Sequence, residues 1–211
     1  MDPRNHTAPP YLPFGTKEAD HVYNELFADN AENFGASQDV VQLHGIVDNP
    51  DLSTPRRLLA YKQLAAEGAA VGARELLGVI VEIGMDGAVE IVAALEDGTA
   101  TVISPKGKVL QLTDPDEISD EYVDPLLDAA IVAVNKWPAQ KMPRQRPPSE
   151  GSARISLLVA DKVHTREGSF MELEEDATAG PVLEHAASLL QWLTSDHRQT
   201  PHSFDMFCFQ S

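Results

Sequence analysis

Apolar and β-branched residues are densest between Gly78 and Leu112, GVIVEIGMDGAVEIVAALEDGTATVISPKGKVLQL, where short runs are separated by turn residues. Val79 to Met85 reads as a strand broken only by Glu82. Asp86-Gly87 follows, a two-residue hairpin signal, because a type I′ turn needs positive φ at both central positions. Ala88 to Leu95 returns, Asp97-Gly98 turns again, and Thr99 to Ile103 is a third strand. In Ser104-Pro105-Lys106-Gly107, proline presets one φ and glycine supplies the left-handed position, so Lys108 to Leu112 closes a four-strand meander. Val79, Val81, Ile83 and Met85 share one face of the first strand, and Ile80, Glu82 and Gly84 share the other. This predicts one well-covered face and one mixed face.

Helical periodicity flanks the meander. Ser53-Thr54-Pro55 is a hydroxyl cap with proline at the first position, opening a helix expected to run through RRLLAYKQLAAEGAAVGARELL to Gly78. Gly68 and Gly72 weaken its middle and mark a break or a close approach. Asp124-Pro125 opens a second helix with Leu126, Leu127, Ala130, Ile131, Val134 and Trp137 as its stripe, stopped by Pro138. Ile155 to Val163 is a strand, Thr165 to Gly168 a turn, and Ser169 to Glu174 the returning strand. Gly180-Pro181 opens a last helix with Val182, Leu183, Ala186, Leu189, Leu190 and Leu193 on one side. Near the start, Lys17 to Phe27 fits a short helix, and Val40 to Val47 a weak strand or turn.

These elements define an α+β fold: an antiparallel sheet built from a four-strand meander and a later hairpin, with helices packed on one face. Residues 1–50 form an arm packed on the core, 51–196 the core, and 197–211 an apolar tail ending FDMFCFQS that is expected to dock on this chain or a partner. Ala139 to Ser152, AQKMPRQRPPSEGS, is the one basic island and reads as a mobile surface loop.

Three stretches, YNELFADN, the meander and AGPVLEHAASLLQWL, resemble a family of uncharacterised bacterial proteins of similar length. These are core and turn positions, so the resemblance implies a shared fold and no known activity. The order helix, three strands, helix, two strands, helix is similar to that of type III secretion chaperones. That likeness of element order implies a small, acidic, often dimeric protein.

Charge and composition narrow the function. Of the 211 residues 43% are hydrophobic, ample for a core, and the net charge is −17. Such a charge repels phosphate backbones and disfavours nucleic acid, leaving solubility or a basic partner as its purpose. Cys208 is the single cysteine, so no intramolecular disulfide forms and a cytoplasmic location is expected. No stretch reaches the ~20 apolar residues of a membrane span, so no membrane association is expected.

The standard catalytic and cofactor signatures, GxGxxG, GxxxxGK[ST], GxSxG, HExxH and CxxC, do not occur. The acidic run from Asp114 fails the EF-hand pattern at its fifth, sixth and twelfth positions, occupied by Ile118, Ser119 and Pro125. His197, His202 and Cys208 lack zinc-ligand spacing, and Cys208 sits among Met206, Phe207 and Phe209 as an inert thiol. No catalytic residue, metal or cofactor is therefore assigned. His164, Arg166 and Glu167, read as a hairpin tip near the basic loop, are the candidate ligand-binding residues. Lys141, Arg144, Arg146, Phe207 and Phe209 are the candidate partner-binding residues. The expected function is a non-enzymatic, protein-binding module of the bacterial cytoplasm, chaperone-like, adaptor or regulatory, and self-associating as a homodimer through an unpaired sheet edge. The alternative is an enzyme or small-ligand binder whose site forms only in three dimensions.

Overall fold

The computed structural model describes residues 9–29, 39–69, 75–112, 119–140, 144–160 and 162–195. Six strands form one antiparallel sheet: β1 (Leu76–Met85), β2 (Ala88–Leu95), β3 (Ala100–Ile103), β4 (Val109–Leu112), β5 (Ser152–Val159) and β6 (Lys162–Ser169), in the order β4-β3-β2-β1-β5-β6. The meander turns at the predicted positions, with Met85 paired to Ala88 across Asp86-Gly87, but only Gly87 takes a positive φ (64°) and Asp86 does not, so the turn is not of type I′. β1 is the hinge of the topology, because it pairs with β2 on one side and with β5 on the other.

Helices cover both faces of the sheet, not one. On one face lie α4 (Asp124–Val134), α5 (Phe170–Glu175) and α6 (Ala179–Thr194), over Val79, Val81, Val92, Ile155 and Leu157. On the other lie α1 (Lys17–Leu26), α2 (Val40–Val47) and α3 (Thr54–Ala66), over Ile80, Ile91, Leu95, Ile103 and Leu158. Ile80 and Val81 point to opposite faces and both are 0% exposed. The face that looked mixed still carries large apolar residues, and the N-terminal helices bury them. A single π-helical turn, Ser119–Val123, leads into α4.

Three local devices move element boundaries away from the sequence expectation. Residues 40–47 are helical because Asp39 and Gln42 form a capping box. The Gln42 N–H donates to Asp39 Oδ1 at 2.8 Å, and the Asp39 N–H donates to Gln42 Oε1 at 3.1 Å. α3 stops at Ala66 because Gly68 takes φ +70°. The Gly68 N–H then bonds Ala65 O, and the Ala69 N–H bonds Leu64 O, which satisfies the last carbonyls. β6 begins at Lys162, paired to Val159, so the turn precedes it and does not lie at 165–168. The segment expected to be the returning strand is α5, opened by a second capping box between Ser169 and Glu172.

The outer edge of β6 is covered by the chain itself. The Gln140 N–H donates to Val163 O, and the Thr165 N–H donates to Pro138 O. Among the described residues no helix is long and apolar enough to cross a membrane.

Candidate functional site

Glu82 sits mid-way along β1 on the face covered by α1, and its side chain is 0% exposed. A carboxylate there must be compensated, since an unpaired buried charge is expensive. Register supplies the first partner. Glu82 is opposite Arg154 of β5, and Arg154 is opposite Glu167 of β6, so the three side chains form a row across adjacent strands. Arg154 Nη1 donates to Glu82 Oε2 at 3.3 Å, and Nη2 lies 2.7 Å from Glu167 Oε2. The second partner comes from α1, where the Tyr23 hydroxyl donates to Glu82 Oε1 at 2.6 Å. Burial pushes the Glu82 carboxyl up, while Arg154, Arg144 and the Tyr23 hydrogen bond pull it back. Burial first, then the Glu82 charge, holds the Tyr23 phenol well above its usual range, so it stays protonated as a donor.

Arg154 also donates to the carbonyls of Gln145 and Arg146, which draws the Pro-rich segment across the sheet. Gly84, two residues beyond Glu82, makes that crossing possible. A Cβ there would overlap Ser149 O and lie 2.8 Å from Pro148 O. Arg144 plunges inward from the same segment. Its guanidinium lies 5.0, 4.5 and 3.9 Å from the ring centroids of Tyr11, Tyr23 and Phe27. Its Nε donates to Asp29 Oδ2 at 2.8 Å and its Nη2 to Asn24 Oδ1 at 2.9 Å. The Tyr11 hydroxyl donates back to Arg144 O at 2.7 Å. Lys62 of α3 completes the group, donating to Asp29 Oδ1, Phe27 O and Ala28 O. Burial lowers the pKa of this ammonium and Asp29 opposes that shift. Arg144 Nη1 is buried without a hydrogen-bond partner among the described residues, a deficit that typically costs ~1–3 kcal/mol.

The arrangement is a polar clamp. It joins α1, β1, β5, β6 and the Pro-rich segment, and its fully buried carboxylate is matched with donors. Among the described residues no group of His, Cys, Asp and Glu is placed to hold a metal ion.

The structure separates the three candidate ligand residues. His164 and Arg166 lie opposite Leu157 and Ile155, while Glu167 lies opposite Arg154 and points to the other face. His164 is buried within β6, two residues in from its start, and not in the turn itself. Its Nδ1 is 2.8 Å from Trp137 O, and a carbonyl only accepts, so Nδ1 carries the proton. Arg166 pairs with Asp176 at 3.0 Å. Of the candidate partner residues, Arg144 is part of the interior and not of the surface, and Arg146 is exposed. Lys141, Phe207 and Phe209 lie outside the described residues, as do the acidic run 113–118, His197, His202 and Cys208. The loop read as mobile is pinned over residues 144–152 by the Arg144 and Arg154 contacts, and at Gln140 by its bond to Val163 O.

Tyr23, Asn24, Asp29 and Glu82 escaped sequence reasoning, and Arg154, which belongs by sequence with the basic surface loop, is buried against Glu82. The available signal was Glu82 itself, the lone charge in an otherwise apolar strand, which announces a buried partner.

Several depressions open at the surface of the described residues, one of ≈ 370 Å³ along Pro10, Leu12, Lys17 and His21 among them, and two are grooves between secondary-structure elements. One, of ≈ 550 Å³, lies between α5 and α6 and is lined by Phe170, Glu174, Pro181, Leu183, Glu184 and Gln191 among others. The other, of ≈ 300 Å³, lies between α3 and the turn end of β5 and β6. The chain matches no protein-family model, no curated protein and no solved structure. The functional reading therefore rests on this geometry.

Proposed function

We propose that the chain is a non-enzymatic protein-binding module that seats a basic, partly apolar segment of another protein in the groove between α5 and α6. The groove itself carries the reading. It combines apolar Phe170, Pro181 and Leu183 with the carboxylates of Glu174 and Glu184. Phe170 and the adjacent Met171 remain 38% and 67% exposed, a large apolar presence for a surface. Apolar contact supplies affinity, and the glutamates select lysine or arginine beside it. The net charge of −17 accelerates the encounter with such a segment.

The test uses a fluorescein-labelled amphipathic Lys/Leu peptide titrated into the full chain and read by anisotropy. Replacing Glu174 and Glu184 by Gln, or Phe170 by Ser, is expected to weaken binding about tenfold. Replacing Glu67 and Asp86, remote exposed acids of equal charge, by their amides is expected to leave it unchanged. Equal weakening by both pairs reduces the interaction to net charge and overturns the assignment of the groove.

A further inference from the structure

The unsatisfied guanidinium nitrogen of Arg144 borders a second, differently charged space. Its side chain is 4% exposed, and two of its three nitrogens are committed to Asp29 and Asn24. Nη1 is left with two N–H groups and no partner among the described residues. Beside Arg144 is a small cavity of ≈ 10 Å³, shared with Phe27, Asp29, Lys62, Gln140 and Val163. That is about the room one water needs. Lys62, Gln140 and Val163 also line the ≈ 300 Å³ groove, so the two spaces adjoin. The other groove walls are Leu58, Ala65, Val159 and Ala160, with Lys162 as a further cation. Among the described residues Lys62 and Lys162 line the groove, and Arg144, Asp29 and Lys62 line the small cavity beside it, in a chain whose net charge is −17.

We infer that this groove binds a small apolar monocarboxylate. The apolar tail lies along Leu58, Ala65 and Val159. The carboxylate sits at the Lys62–Gln140 end and reaches Arg144 Nη1 through one bridging water. Each part answers an observation. The Lys62 ammonium already donates to three oxygens, so it contributes field and not a new hydrogen bond. Arg144 has the unused donors. The walls exclude a bare inorganic anion, which would leave them in contact with water. At ≈ 300 Å³ the groove is at the small end of ligand pockets, so its ligand is a short-chain one, for which octanoate is the probe. The site is independent of the α5–α6 groove.

The experiment titrates sodium octanoate, octan-1-ol, octylamine and inorganic phosphate into the ¹⁵N-labelled full chain, observing backbone amides and the arginine Nε–H signals. Octanoate is expected to shift Gln140, Lys162, Val163 and the Arg144 Nε–H saturably, in 1:1 proportion, with phosphate and octylamine inert. Octanol is expected to bind at least about tenfold more weakly. Ala65→Phe fills the groove from an exposed helix position without touching the caged arginine, and is expected to abolish the shifts. Absence of a saturable shift into the millimolar range, equal binding of octylamine, or octanoate binding unaffected by Ala65→Phe overturns the inference.

Discussion

Replacing Arg154 by Met tests the polar clamp most directly. Arg154 and Glu82 are 3% and 0% exposed as side chains, so removing the cation leaves an uncompensated charge in the interior. Breaking a buried pair in this way costs ~3–5 kcal/mol. The Glu167 pair adds little, about 0–1 kcal/mol, because that carboxylate is 41% exposed. Each lost bond to Gln145 O and Arg146 O adds about 0.5–1.5 kcal/mol. Met refills most of the arginine stem, so the cavity contribution is small. The expected loss at pH 7 is about 5 kcal/mol, a large part of the ~5–15 kcal/mol typical of a domain. The pH dependence has a definite sign. The folded Glu82 carboxyl already titrates above its unfolded value, and losing Arg154 raises it further. Between the unfolded and folded values the native state binds more protons, so stability rises as pH falls. The deficit relative to wild type should therefore shrink from pH 7 to pH 5. Urea unfolding followed by tryptophan fluorescence at both pH values measures it. Adding Glu82→Gln to Arg154→Met removes the stranded charge and should recover at least half of the loss. A deficit under about 1 kcal/mol at pH 7, one that does not narrow at pH 5, or a double variant no better than the single refutes the reasoning.

The other expectations concern backbone and caps. Gly84→Ala forces the Pro148–Ser149 crossing to lift and should cost about 2 kcal/mol, a Tm drop of roughly 4–8 °C by calorimetry; an unchanged Tm would show that the segment moves freely. Gly68→Ala meets no atom within 4 Å but retains φ +70°, so it should cost about 1 kcal/mol in urea melts, with Gly68→Asn costing less. Asp176 accepts the N–H groups of Thr178 and Ala179 at the start of α6, which holds its carboxyl down to about 2. Asp176→Ala should cost about 1 kcal/mol at neutral pH. That gap is fully present above the unfolded carboxyl value and closes as pH falls toward about 2, which paired urea melts would follow.

The meander was legible because its information is local. Asp86-Gly87 and Asp97-Gly98 fix turns from two residues each, and alternation fixes the faces. The β5–β6 hairpin was legible in kind but not in place. Thr165-Arg166-Glu167-Gly168 has turn-like composition, yet the capping box at Ser169 and Glu172 begins a helix there and leaves the preceding residues to pair with β5. Residues 40–47, VVQLHGIV, have strand propensity and are helical by virtue of a cap and of packing against α3. Arg144 was the least legible of all. A basic, Pro-rich stretch reads as solvent-exposed, and nothing near it in sequence shows that Tyr11, Tyr23 and Phe27 form a cage around it. The candidate trio on β6 is split between two faces for a simpler reason, since adjacent residues of a strand face opposite ways.

The clamp also sets an order of events during synthesis. Asn24 waits for a partner 120 positions downstream, and Tyr11 for one 133 positions downstream. At ~5–20 residues per second, 120 residues take roughly 6–24 s to emerge. Throughout that interval the first helix, its aromatic rings and Asp29 are outside the ribosome without the arginine they surround. The segment from Tyr11 to Asp29 is thus made long before the arginine that locks it.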